Sequence, residues 1–436
     1  MQVILYPIIV LILLEGTKFN YIDFSKLTYL DETYILVCLL IAIKNILKEK
    51  KINKSSFKLL IGIMTFLFIG IISCILNSNY TFKSLIMSSF LAIKFWILVF
   101  SIQNIKINGK TKKTIIKAIL FVEKIAIVLA ILNIFFPNIY YSLFTFEEKY
   151  IRFGMQSITS CFNHPATYGW FMLVCAFIHL SKYQEENTKK EKKYVVLLVV
   201  LSVLSLRTKI LITIILSILF YVIFINKNNI KKLLKNITIA LAFSIIIFFS
   251  FKEIILNTYN IYFKSEQGIS AREALSIGSK KIIKDYFPLG VGFGKYGTWY
   301  ASQQYSEYYY KYEMNKIYGL SPEESKYSTD TFWPAIMGET GIIGTTIYIV
   351  MIIYCLKNII KNYKENRTKT NEYAQFNFVA IFIFLQTIIE SSGEASFNTS
   401  PKYVITALFV GIALSGKENN IVSSDKKRNT TSTKLN

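Results

Sequence analysis

Apolar runs alternate with short polar links along most of the chain. The runs fall at about 2–16, 31–47, 59–76, 84–103, 115–136, 165–181, 194–206, 210–225, 236–251, 334–356, 375–390 and 401–416. A bilayer core of about 30 Å requires roughly 20 mostly apolar residues per helix, so the pattern predicts an all-α, polytopic integral membrane domain over residues 1–416 with about 12 transmembrane helices. One segment breaks the rhythm: residues 252–333 are long and polar, which predicts a large, partly helical extracytoplasmic loop before the tenth helix. Residues 417–436 lack apolar periodicity and read as a disordered tail.

Composition supports the membrane class. Of 436 residues 53% are hydrophobic, and the mean hydropathy is +0.41, outside the usual soluble range. The net charge of +23 does not point to nucleic acid, because the lysines lie in links between apolar runs rather than on one face. They crowd alternate links: 44–58, 106–113, 182–193, 227–235, 357–369 and the tail. Read by the positive-inside rule, those links are cytoplasmic and both termini with them; the lysines can also touch anionic membrane lipids. The outward links are then 17–30, 77–83, 137–164, the turn Arg207-Thr208-Lys209, 252–333 and 391–400. The opening M-Q-V-I-L-Y-P lacks a basic region and a small-residue cleavage site, so it reads as a first membrane segment. Five scattered cysteines form no C-x-x-C pair and suggest neither a disulfide framework nor a metal site.

Charges inside or beside apolar runs are the first functional candidates. Lys94 and Glu123 lie within the fourth and fifth runs, where pairing across adjacent helices would neutralise both. Arg207 and Lys209 separate the seventh run from the eighth; they belong at the outer interface, as a hairpin turn with snorkelling stems, or lining a polar cavity.

The outward links carry the rest. Residues 137–164 contain Y-I-R-F-G-M and C-F-N-H-P, in which Arg152 offers a planar fork suited to phosphate and His164 a proton carrier or a plain hydrogen-bond donor. Pro165 suits the first position of the following helix, which makes a structural role for His164 equally good. From Ala271 to Tyr286 the apolar spacing predicts an amphipathic helix with Arg272 in its first turn. Pro288 ends it, and Gly290, Gly292 and Gly294 then permit close backbone approach or positive φ. No strand precedes this G-x-G-x-G and no G-K-S/T follows, so nucleotide-loop readings are discarded. Eight tyrosines between Trp299 and Tyr327 suit either sugar rings or a membrane-interface belt. Asp330 precedes the tenth helix, with Glu339 two to three turns further on.

These segments resemble the O-antigen ligase and polymerase superfamily of bacterial membrane glycosyltransferases, to which Wzy-type polysaccharide polymerases and WaaL-type ligases belong. The resemblance rests on S-A-R-E-A-L…P-L-G-V-G-F-G-K-Y-G (from Ser270), on D-T-F-W-P-A-I-M-G-E-T-G-I-I-G (from Asp330), on S-L-R-T-K around Arg207, and on R-F-G…N-H-P. It implies transfer of a glycan from an undecaprenyl-pyrophosphate donor to a hydroxyl at the outer face of the bacterial cytoplasmic membrane, by an inverting, metal-independent, GT-C-like route without a cofactor. Family arginines fall on Arg207 and Arg272, which would grip the pyrophosphate, with Arg152 as a third candidate and Lys209 and His164 as further substrate contacts. Ligases carry a histidine where this chain has Asp330, and Thr331 replaces the usual asparagine; that departure favours a polymerase, with Asp330 orienting or deprotonating the acceptor.

Three readings follow. The first is a repeat-unit polymerase for capsule or O-antigen-type polysaccharide, using a lipid-linked acceptor and working beside flippase and chain-length regulator proteins. The second is a ligase passing finished glycan to lipid, cell wall or protein. The third, a lipid-linked oligosaccharide flippase or transporter, predicts internal repeats and midplane charges, and the polar residues concentrate instead in the large loop.

Overall fold

The computed structural model describes residues 2–15, 17, 27, 29–77, 79–144, 149–152, 155–225, 252–253, 256, 269–366 and 372–415. Among these the chain is mostly helical, with almost no strand. In order the helices are α1 (Gln2–Leu13), α2 (Leu30–Glu49), α3 (Lys54–Asn77), α4 (Phe82–Gln103), α5 (Gly109–Phe135), α6 (Pro137–Leu143), α7 (Pro165–Glu186), α8 (Lys189–Val203) and α9 (Thr208–Ile225). They continue as α10 (Ala271–Asp285), α11 (Trp299–Gln303), α12 (Glu307–Lys311), α13 (Trp333–Asn366), α14 (Glu372–Glu390) and α15 (Lys402–Leu414). Between α6 and α7 an antiparallel hairpin pairs β1 (Ile151–Arg152) with β2 (Met155–Gln156). The run expected at 236–251 and the tail from 417 lie outside the described residues.

Among the described residues three helices, α3, α4 and α13, are long and apolar enough to cross a membrane; α9, α14 and α15 contain shorter apolar helices. Apolar side chains cover both the inside and the outside of the bundle. Every residue of α15 is buried, as befits a helix that is apolar all round. It packs against α4, α14 and α13. Outward, α2 exposes Leu36, Leu40 and Leu47, and α3 exposes Ile61, Met64 and Phe68, a distribution suited to lipid rather than water.

The helix starts are capped from sequence. Thr81 and Ser84 form a capping box on α4, Asn108 accepts from the Thr111 amide on α5, and Ser270 accepts from the Glu273 amide on α10. Each cap satisfies a donor that the helix itself leaves open.

The polar loop folds into its own small core. Leu275 and Ile282 of α10 bury against Val291, Tyr296, Tyr309 and Leu320, and α10 packs along α13. An aromatic cluster lies beneath: Tyr348 of α13 meets Trp96 (5.3 Å) and Phe332 (5.3 Å), and Phe332 meets Phe397 at 5.0 Å. Phe332 follows Asp330 by two residues and Phe397 lies in the α14–α15 link, so this cluster sets both at one end of the bundle.

Two expectations about intramembrane charge are corrected. Lys94 does not pair with Glu123; its ammonium lies 3.1 Å from Glu32 and 3.5 Å from Asp31, both on α2. Glu123 instead faces His179 of α7 at 3.1 Å, and His179 also contacts Glu191 of α8. The cause is helix adjacency: α4 packs on α2, whereas α5 packs on α7.

Candidate active site

The two motifs of the large loop and α13 lock together through Glu339. Its Oε1 accepts from the backbone N–H groups of Gly294 (2.7 Å), Lys295 (3.1 Å) and Tyr296 (3.3 Å), and from the Thr298 hydroxyl (2.8 Å). The Val291 and Gly292 amides donate to the carbonyls of Gly338 and Glu339. Gly292 has φ 92° with the Cys74 backbone where a Cβ would stand, and Gly341 (φ 62°) lies against Leu289 in the same way; both need positive φ and close approach at once. Gly341 also interrupts the helical backbone of α13. Glu339 is therefore a clamp on the glycine loop.

The clamp holds α10 beside the start of α13. Arg272, in the first turn of α10, donates from Nη2 to Asp330 Oδ2 at 2.9 Å, with both side chains about one-third exposed (33%). The sequence placed these residues 58 apart and on separate elements; the fold makes them an ion pair open to solvent on one side.

A second group of candidates gathers at the turn between α8 and α9. The turn is Leu204–Arg207 rather than Arg207–Lys209, because Lys209 already lies in the first turn of α9. Leu206 takes φ 53° there. The preceding segment is tied to this turn by the Ile158 amide donating to the Leu204 carbonyl at 3.1 Å, and the Ser157 amide donating to the Tyr150 carbonyl at 2.8 Å. Tyr150 consequently sits between two candidates. The Arg207 guanidinium lies 5.5 Å from its ring centre, and the His164 ring meets it edge-on at 5.1 Å. Arg152 stands two residues beyond Tyr150, on β1, opposite Met155.

His164 caps α7: its Nδ1 accepts from the Ala166 amide at 3.1 Å. A neutral ring that accepts at Nδ1 carries its proton on Nε2, and so can donate but not accept there. Burial first, and the Arg207 charge next, push the imidazole down to about 3. These facts favour the structural reading of His164.

Lys209 is engaged inside the protein. It forms a close ion pair with Glu394 in the link between α14 and α15, and Glu394 also pairs with Lys402 at the start of α15. Lys402 in turn lies 2.7 Å from Glu390 at the end of α14. Burial by itself would raise the Glu394 carboxyl, but Lys209 and Lys402 hold it well below the usual carboxylate range. Next to Glu390, Ser391 Oγ accepts from Trp333 Nε1 at 3.0 Å. Trp333 begins α13, three residues after Asp330, so the link between α14 and α15 is bonded both to Lys209, two residues after Arg207, and to the start of the helix that follows Asp330.

The fold thus brings Arg207, Lys209 and His164 together and brings Arg272 to Asp330, with the α14–α15 link bonded to Lys209 on one side and to Trp333 on the other. Sequence reasoning missed Tyr150, Glu390, Glu394 and Lys402. The available signal was that Glu390, Glu394 and Lys402 are three charges on or beside a ten-residue link between two apolar runs, costly there unless paired.

No curated protein sequence matches the chain. Residues 194–349, from α8 through the Arg272–Asp330 pair to the clamp on α13, match the family model described as O-antigen ligase, which supports the resemblance of this part of the chain to the O-antigen ligase and polymerase superfamily.

Proposed function

We propose that this protein is a polysaccharide repeat-unit polymerase of the bacterial cytoplasmic membrane, with about 12 transmembrane helices. It transfers a glycan from an undecaprenyl-pyrophosphate donor to a hydroxyl of a lipid-linked acceptor at the outer face. The family match over residues 194–349 supports a glycosyltransferase-like enzyme acting on lipid-linked oligosaccharide. The observation that carries the finer reading is the half-open Arg272–Asp330 ion pair.

In this reading the anomeric carbon loses its bond to the pyrophosphate oxygen as the acceptor oxygen bonds to it, and the acceptor proton passes to a base or to water. Arg272 and Arg207 stabilise the departing anion with charge-assisted hydrogen bonds. Asp330 orients Arg272 and faces the acceptor hydroxyl. Arg152 and the His164 Nε2–H supply further donors beside Arg207.

Arg207→Ala and Arg272→Ala are each expected to lower polymerisation about 10²- to 10³-fold, so that glycan ladders collapse to short products while membrane levels of the protein hold. Normal ladders from both variants would sink the assignment. The matched family, described as O-antigen ligase, favours a second reading as a ligase. The glycan profile of a deletion strain separates them: single lipid-linked repeat units mark a lost polymerase, long unattached chains a lost ligase.

A further inference from the structure

We infer that Lys209 and Glu394 are positioning residues, which through a buried, charge-neutral network hold the Arg207 turn in register with the segment that carries Asp330 and Arg272. The inference rests on the transferase reading above and deepens it.

The network alternates in charge along its length: Lys209, Glu394, Lys402, Glu390. Two cations meet two carboxylates, so the positive charge of Lys209 is cancelled within the protein. The side chains of Lys402 and Glu390 are 2% and 0% exposed; removing one partner would leave a buried charge uncompensated, a large penalty.

The α14–α15 link is the hub. Lys209 ties it to α9, and Lys402 ties it to α15. Gln386 of α14 donates to Glu390 at 2.8 Å and to the Trp170 carbonyl of α7 at 3.3 Å, one and a half turns from the His164 cap. Trp333 ties it to the start of α13, and Ser396 Oγ donates to Glu394 at 2.9 Å. Arg207 lies two residues from Lys209 in the chain, and Asp330 three from Trp333. The hub therefore sets how far apart the two arginine-bearing segments stand, a separation that two guanidinium groups gripping one pyrophosphate require. Displacing a substrate-holding group by about 1 Å costs on the order of 10²-fold in rate.

The test uses full-length protein in lipid nanodiscs, with a lipid-linked glycan as donor and acceptor. Lys209→Met and Glu394→Gln are each expected to lower kcat/KM for the donor about tenfold or more, with the acceptor KM unchanged. The double variant, which removes both charges together, is expected to be no worse than the poorer single variant, and the exchange Lys209→Glu with Glu394→Lys to recover part of the loss. If Lys209 touches the phosphate itself, Glu394→Gln behaves as the parent, the double variant is as poor as Lys209→Met, and the exchange recovers nothing; that result overturns the inference. It is equally overturned if every variant merely lowers the amount of folded protein while donor and acceptor constants stay fixed. Failure of the transferase reading is seen separately, as full activity in Arg207→Ala and Arg272→Ala.

Discussion

At the scale of single residues, His164 shows how a fold assigns a role that residue type leaves open. The sequence offered a proton carrier, a hydrogen-bond donor or a structural role, and in the fold Nδ1 accepts from the Ala166 amide and caps α7. Its depressed pKa has a sign that can be checked. The folded ring resists protonation down to about 3, whereas an unfolded histidine takes up a proton near 6.5. As pH falls through that window the unfolded chain binds the proton and the folded chain does not, so the stability linked to this residue is complete above about 6.5 and drains away towards 3. His164→Asn retains an acceptor for the Ala166 amide and is expected to lose less of its melting temperature than the parent between pH 7 and 5. An identical pH dependence in parent and variant would remove this account. Arg207, Arg272 and Asp330 were singled out in the sequence because they stand in motifs that resemble those of a known family; Tyr150 was not, since one tyrosine among 29 carries no mark of its neighbours.

At the scale of elements, α10 was legible in full. Its spacing predicts a helix from Ala271 to Tyr286, ended by Pro288, and the observed helix is Ala271–Asp285. The glycines after it were legible as needing unusual backbone, but their partner was not, because a carboxylate that collects three amides on one oxygen looks like any other glutamate in a motif. Glu339→Ala leaves those buried N–H groups without an acceptor, at about 1–3 kcal/mol for each group left unsatisfied. It is expected to lower the melting temperature and speed amide exchange at residues 290–298, with Glu339→Gln much milder since an amide oxygen can still accept. Fast exchange in neither variant would show that the clamp is dispensable. The break in α13 at Gly341 went unseen for the same reason: apolar periodicity runs unbroken through a residue whose φ is set by a tertiary contact.

At the scale of the whole molecule, the run boundaries mostly agree with the helices to within a few residues, because hydrophobic length is imposed by the bilayer and read directly from composition. Which helices touch was not legible, and that is why Lys94 and Glu123 were given to each other when each has a nearer partner. The orientation drawn from lysine placement has its own test. All five native cysteines are buried, so membrane-impermeant maleimide should react little with the parent. On intact cells it is expected to label Ser392→Cys, in the α14–α15 link, and to spare Lys190→Cys at the start of α8; the opposite pattern would invert the topology. The clamp has a final consequence at this scale. Residues 272–294 and 330–339 form a ring closed twice, by Glu339 at one end and by Arg272 with Asp330 at the other. With the first joint shut, the second is an intramolecular encounter at high effective concentration, so a solvent-touched ion pair that contributes no more than about 1 kcal/mol suffices to hold it. So weak a latch can open at little cost, and in the proposed transfer Arg272 would exchange a carboxylate for an arriving phosphate while the backbone beneath it stays still.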